Sequence, residues 1–211
     1  MNINPKAIRI LCYGDSLTFG HDVETDTRFN ALERWTGILQ KTLGVNYEII
    51  EEGLGGRTTD IDDPKKEGRN GLSYFQSCVM SQVPLDVIII LLGTNDLKSR
   101  FIRTPAQVAD SFRKYKTAIE QACNKWNVRF PKVILVSPPI LDEDKIPHEW
   151  HMEGSGEKSK QLSKEYEKVA KEIGFEFVDI APVVKVSTID GTHLEKSSNV
   201  NIANLLSQKL L

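Results

Sequence analysis

The sequence predicts a three-layer α/β/α domain built on a five-stranded parallel sheet. Short runs rich in Ile and Val recur along the chain without polar alternation, which marks strands buried on both faces. Between them lie stretches with apolar residues at helical spacing. Strands that alternate with helices in this way close as a parallel sheet covered on both sides. With 211 residues and about 150 per typical domain, one domain over residues 1–211 is expected. Such a chain buries a core without disulfide staples.

The first strand is predicted at Ala7–Tyr13 and ends at Gly14, the second at Tyr47–Ile50, reaching Gly53 through two glutamates. Val87–Leu92 ends at Gly93, Val133–Val136 at Ser137-Pro138-Pro139, and Phe175–Ile180 at Ala181-Pro182. The predicted helices are Arg34–Leu43, Gly71–Ser81, Thr104–Trp126, Glu157–Ile173 and Ser198–Leu211. Pro105 suits the first turn of the third helix and Gly174 the stop of the fourth. Three loops exceed what this fold requires, at 21–33, 60–70 and 141–156, and long loops in compact domains are commonly functional.

Composition narrows the function. Lys and Arg number 27 against 29 Asp and Glu, a net charge of −2. Nucleic-acid binding proteins usually carry a basic excess, so no nucleic-acid partner is expected. No apolar run approaches a membrane span, and the N-terminal stretch lacks the pattern of a signal peptide, so a cytoplasmic location is expected. Cys12, Cys78 and Cys123 are odd in number and widely spaced, which reads as buried free thiols.

In open parallel sheets, ligands bind at the carboxyl ends of the strands. There the sequence places Gly14-Asp15-Ser16-Leu17, Gly53-Leu54-Gly55-Gly56-Arg57, Gly93-Thr94-Asn95-Asp96 and, after the last strand, Asp190-Gly191-Thr192-His193. A serine hydroxyl needs a base to become a nucleophile. His193 supplies one if Asp190 fixes its tautomer and stabilises the imidazolium. The oxyanion of an acyl-transfer intermediate needs preorganised donors. The amides of Ser16 and Gly56 and the carboxamide of Asn95 are the candidates, and glycine suits a loop that turns its N–H toward a ligand.

These blocks resemble the SGNH (GDSL) hydrolase superfamily, through GDSLTFG (Gly14–Gly20), EGLGGRTTDIDDP (Glu52–Pro64), LGTNDLK (Leu92–Lys98), VSPP (Val136–Pro139) and DGTHL (Asp190–Leu194). The wording is most similar to the arylesterase/acyltransferase (perhydrolase) branch. The resemblance implies a flavodoxin-like fold, hydrolysis of small esters without a cofactor, acyl transfer to alcohols or peroxide, and assembly into homo-oligomers. It assigns Ser16 as nucleophile, His193 as base and Asp190 as its orienter, with Ser16, Gly56 and Asn95 as the oxyanion hole. Carbohydrate deacetylation, or thioester or lysophospholipid cleavage, on the same triad is the alternative. A flavodoxin-like ligand-binding module is the non-enzyme alternative.

Plainer roles compete at each position. Ser16 can cap the following helix, Asp96 can do the same after Asn95, and Asn95 can be a turn residue. Asp15 reads as an acceptor for loop amides. The Gly53–Gly56 segment can cradle phosphate, although the lysine of a phosphate loop is absent. Arg57 reads as packed beneath its loop. Asp15, Leu17, Phe19, Leu54 and Trp150 are the candidates for pocket walls, although Leu17 and Phe19 suit the core equally. Pro147, Trp150 and Met152 suggest an apolar rim over the site or an oligomer contact. His21 is a possible pocket residue. His148 and His151 lack a third ligand at suitable spacing, so no metal is expected.

Overall fold

The computed structural model describes residues 2–211. The five strands are β1 (Ile8–Gly14), β2 (Tyr47–Gly53), β3 (Val87–Leu91), β4 (Lys132–Ser137) and β5 (Glu176–Asp179). They pair in parallel in the order β2-β1-β3-β4-β5. The helices are α1 (Ser16–Phe19), α2 (Trp35–Leu43), α3 (Gly71–Gln82), α4 (Pro105–Asp110), α5 (Phe112–Trp126), α6 (Ser155–Ile173) and α7 (Lys196–Leu210).

Strand alternation sorts the core into two layers. From β1, Ile10 and Cys12 point to one face, where Trp35 and Leu39 of α2 and Ile202 and Leu206 of α7 pack. Leu11 and Tyr13 point to the other, against Phe75 of α3, Phe112 and Tyr115 of α5, and Tyr166 of α6. Each fully buried side chain of this size contributes about 1.5–3 kcal/mol relative to exposure. Burial on both faces is complete along β3. It fails on β2, which is half-buried at every position because it forms one edge of the sheet.

The expected single helix over 104–126 is two. Thr104 caps α4 in a capping box with Gln107, and Pro105 occupies the first turn as expected. The break falls at Ser111, whose hydroxyl bonds the Val108 carbonyl at 2.6 Å; such back-bonding bends helices. Helix α6 starts at Ser155 rather than Glu157 and stops at Gly174, which is left-handed. The loop at 21–33 carries an unpredicted hairpin pairing His21–Asp22 with Thr27–Arg28. All three cysteines are buried and free.

The sheet order reverses at β1: the chain crosses to β2 on one side and then to β3 on the other. Such a switch point opens a crevice at the strand's carboxyl end, which is where Asp15 and Ser16 stand.

Candidate active site

β1 ends at Gly14, and the chain turns at once into the single helical turn α1. The cap of that turn is Asp15, which accepts from the Leu17 amide at 2.9 Å. The capping role open to Ser16 therefore belongs to its neighbour. The Ser16 Oγ instead lies 2.9 Å from His193 Nε2, joining residues 177 apart in sequence. His193 Nδ1 lies 2.5 Å from Asp190 Oδ2. The second oxygen of Asp190 accepts the backbone amides of Thr192 and His193, both at 3.0 Å. Burial pushes the Asp190 carboxyl up, but the hydrogen bond and charge of His193 and the two amides outweigh it and hold it below the ordinary value.

The candidate oxyanion donors come from neighbouring strand ends. Gly56 has a φ of +80°, a conformation that glycine takes without a Cβ penalty. Among the described residues, the backbone N–H groups of Ser16 and Gly56 have no acceptor. Asn95 Nδ2 donates to the Arg57 carbonyl at 3.1 Å and lies 3.5 Å from Asp15 Oδ2.

The Gly56 loop is fixed from below. Arg57 is buried and packs beneath it as expected: its guanidinium donates to the carbonyls of Gly14 at 2.8 Å and Glu52 at 2.5 Å, and stacks 4.2 Å from the Tyr13 ring. Tyr115 Oη donates to the Thr59 carbonyl at 2.6 Å. Asp96 is not the helix cap the sequence suggests. It is fully buried and accepts from the Thr59 amide at 2.9 Å, the Thr59 hydroxyl at 2.6 Å and Arg103 at 2.8 Å. Asp96 adjoins Asn95, and Thr59 follows Gly56 by three residues, so these bonds tie the two donor segments together. Burial raises both Asp96 and Asp15 to about 6, against their bonds to Thr59 and Leu17 respectively.

The pocket candidates divide. Leu17 is not a wall: it is 3% exposed and packs in the α2/α7 core with Trp35, whose indole donates to the Leu17 carbonyl. Asp15 is fully buried and engaged with the α1 backbone, so it lies under the site rather than around it. Phe19 is half-buried with the Arg28 guanidinium 4.7 Å over its ring. Leu54 is half-buried, its amide bonded to the Gly14 carbonyl. Trp150 stands edge-on to His193, ring centroids 5.9 Å apart. Met152, expected on the rim, is core. His21, brought in by the hairpin, lies 4.4 Å from the His193 ring, and burial followed by the His193 charge lowers its pKa. His151 is exposed and His148 lies on the same turn, and no group of three metal-ligating side chains is assembled among the described residues.

Residues 12–197 match the model of the GDSL-like lipase/acylhydrolase family. The chain belongs to this family. Among solved structures, it is 39% identical to the native aryl esterase of M. smegmatis, with a TM-score of 0.90 over 97% of this chain and 98% of that one. A carbohydrate acetylesterase from Sinorhizobium meliloti is 37% identical, with a TM-score of 0.88 over 96% and 97%. A lipolytic G-D-S-L protein from Veillonella parvula, at 19% identity and a TM-score of 0.68 over 96% and 97%, shares the fold. A search of curated proteins finds no match. In this family setting Gly14-Asp15-Ser16-Leu17 is the motif after which the GDSL proteins are named, and it occupies the switch point of the sheet.

Proposed function

We propose that the protein is a serine esterase that hydrolyses small carboxylic esters, with short acyl or aryl groups, through an acyl-enzyme on Ser16. The relay Ser16–His193–Asp190, at 2.9 and 2.5 Å, is the observation that carries this reading. Family membership and the aryl esterase likeness support it.

In this mechanism His193 Nε2 takes the Ser16 proton as Oγ attacks the ester carbonyl carbon. The carbonyl oxygen becomes an oxyanion and accepts from the Ser16 and Gly56 amides and from Asn95 Nδ2. Asp190 keeps Nδ1 protonated and stabilises the imidazolium. His193 then gives its proton to the departing alkoxide oxygen, and the alcohol leaves. Water, with His193 again as base, attacks the acyl carbon and frees Ser16. An alcohol or peroxide in place of water gives acyl transfer or perhydrolysis, and this belongs to the same proposal. Trp150 and His21 flank His193, where the leaving alcohol must sit.

Deacetylation of carbohydrate is the second reading, supported by the likeness to the Sinorhizobium enzyme. No helix among the described residues is long and apolar enough to cross a membrane. Homo-oligomerisation completes the proposal and rests on the sequence resemblance. The test is steady-state hydrolysis of 4-nitrophenyl esters from acetate to palmitate beside acetylated sugars. The reading expects the highest kcat/KM on the shortest aryl esters. Wild-type-like turnover of 4-nitrophenyl acetate by Ser16→Ala would overturn it.

A further inference from the structure

The corner beyond Gly56 and Asn95 holds cations that the mechanism does not use. Lys98 is 9% exposed, and the Asp63 carboxylate whose charge acts on its ammonium is already paired with Arg100. Holding a cation at so little exposure is costly. Burial, then the charge of Arg100, pushes this amine down to about 8. Two further donors are stranded: Arg69 Nε and Arg100 Nε are buried without an acceptor. Native proteins rarely leave such groups unsatisfied without a reason.

These groups border the oxyanion donors. Lys98 follows Asn95 by three residues on the same turn, its N–H bonded to the Asn95 carbonyl at 3.4 Å. A Cβ on Gly56 would stand 3.6 Å from Arg69 Nε and 3.9 Å from Lys66 Cδ. The acids of this corner are engaged. Asp63 pairs with Arg100 at 2.6 Å, Asp60 with Arg103 and Lys114, and Asp62 accepts from Asn70. Asp15, the other carboxylate whose charge Lys98 feels, accepts from Leu17. Glu67 is exposed on the loop.

A bound ester has its leaving group against His193, between His21 and Trp150. An acyl group directed away from them, past Gly56 and Asn95, would run toward this corner. Resting on the esterase reading, we infer that Lys98, with Lys66, Arg69 and Arg100, forms a carboxylate subsite for the acyl group. The preferred substrates are then half-esters of short dicarboxylic acids. The esterified carbonyl meets Ser16, and the free carboxylate seats on the Lys98 ammonium, with the charges of Arg69 and Arg100 behind it. Water cleaves the ester bond to give the alcohol and the dicarboxylate, with release of one proton. Charge-assisted bonds of this kind are about twice as strong as neutral ones.

The test compares mono-(4-nitrophenyl) glutarate with its glutaramate analogue, in which a carboxamide replaces the carboxylate. Wild type should favour the carboxylate in kcat/KM by about 10-fold or more, and Lys98→Met should bring the ratio within about threefold of one, one charge-assisted contact being removed. Because the ratio is taken within each protein, a general loss of activity cancels. A wild-type ratio of one or below, or a ratio preserved in Lys98→Met, overturns the subsite. A cluster that only stabilises the oxyanion would slow both esters equally and preserve the ratio. Calorimetric titration with glutarate tests the subsite without turnover: saturable binding that is lost in Lys98→Met supports it, and absence of binding to wild type overturns it. Failure of wild type to hydrolyse 4-nitrophenyl acetate would count against the esterase reading alone.

Discussion

Asp96→Asn separates the cost of burying a charge from the value of holding the site together. In wild type one carboxylate oxygen takes the Thr59 amide, and the other takes the Thr59 hydroxyl and Arg103. Asparagine offers one oxygen, so its NH₂ must face either an amide N–H or a guanidinium. Leaving one such donor unsatisfied costs about 1–3 kcal/mol. Against this, the rise of the carboxyl from 3.8 to about 6 means that its ionisation costs the folded state roughly 3 kcal/mol, and asparagine removes that cost. The two nearly cancel at pH 7, where the variant should lie within about 2 kcal/mol of wild type. The sign follows from the raised value: the folded state binds the proton more tightly, so this group's contribution to wild-type stability falls as pH rises from about 4 to about 6. The variant has no such loss. Urea unfolding should therefore show the Asp96→Asn variant least favoured relative to wild type near pH 4 and gaining roughly 3 kcal/mol on it by pH 7. Turnover should fall about 10-fold or more, because a small displacement of Gly56 and Asn95 spoils donors that act by position. A stability difference independent of pH, or turnover within about threefold of wild type, would refute the reasoning.

Three further outcomes are expected. Asn95→Ala should lower kcat by about 10²–10³-fold with KM little changed, since its carboxamide acts on the oxyanion rather than on the ground state; steady-state kinetics on 4-nitrophenyl acetate checks this. Asp190→Asn should lower kcat by about 10⁴-fold through the wrong tautomer of His193. Because the Asp190 carboxyl is lowered on folding, its stabilising contribution is present above about pH 4 and is lost as pH falls through the folded value, so acid unfolding of the variant should lack that component. Gly93→Ala should be strongly destabilising. Its φ is +122°, and an added Cβ would lie 2.0 Å from Tyr166 Oη, a hydroxyl already bonded to the Leu92 carbonyl. A cost above about 3 kcal/mol, or a drop of about 6–12 °C in melting temperature, should appear by calorimetry.

The sheet was legible because each central strand is a short unbroken apolar run, as in VIIILL, closed by glycine or proline. The Asp190–His193 pair was legible because three residues on one loop suffice to bring the side chains together. What escaped depends on direction and on distant partners. Leu17 is next to Ser16 in sequence, but α1 turns its side chain into the α2/α7 core. Asp96 meets Thr59 37 residues away, and no local pattern distinguishes that from capping. The break at Ser111 accompanies a hydroxyl bonded to the Val108 carbonyl, a choice that helical periodicity does not record. His21 reaches His193 only through the 21–28 hairpin, whose two-residue strands are too short to leave a pattern.

The central claim is that the acyl group passes through Ser16. Rapid acid quench of 4-nitrophenyl acetate turnover, followed by mass spectrometry of the digested protein, measures this directly. The mechanism predicts one acetyl group per active site on the peptide carrying Ser16, formed with the nitrophenol burst and absent from Ser16→Ala. Burst product without acetyl on that peptide, or acetyl on another residue that turns over at the catalytic rate, would contradict it.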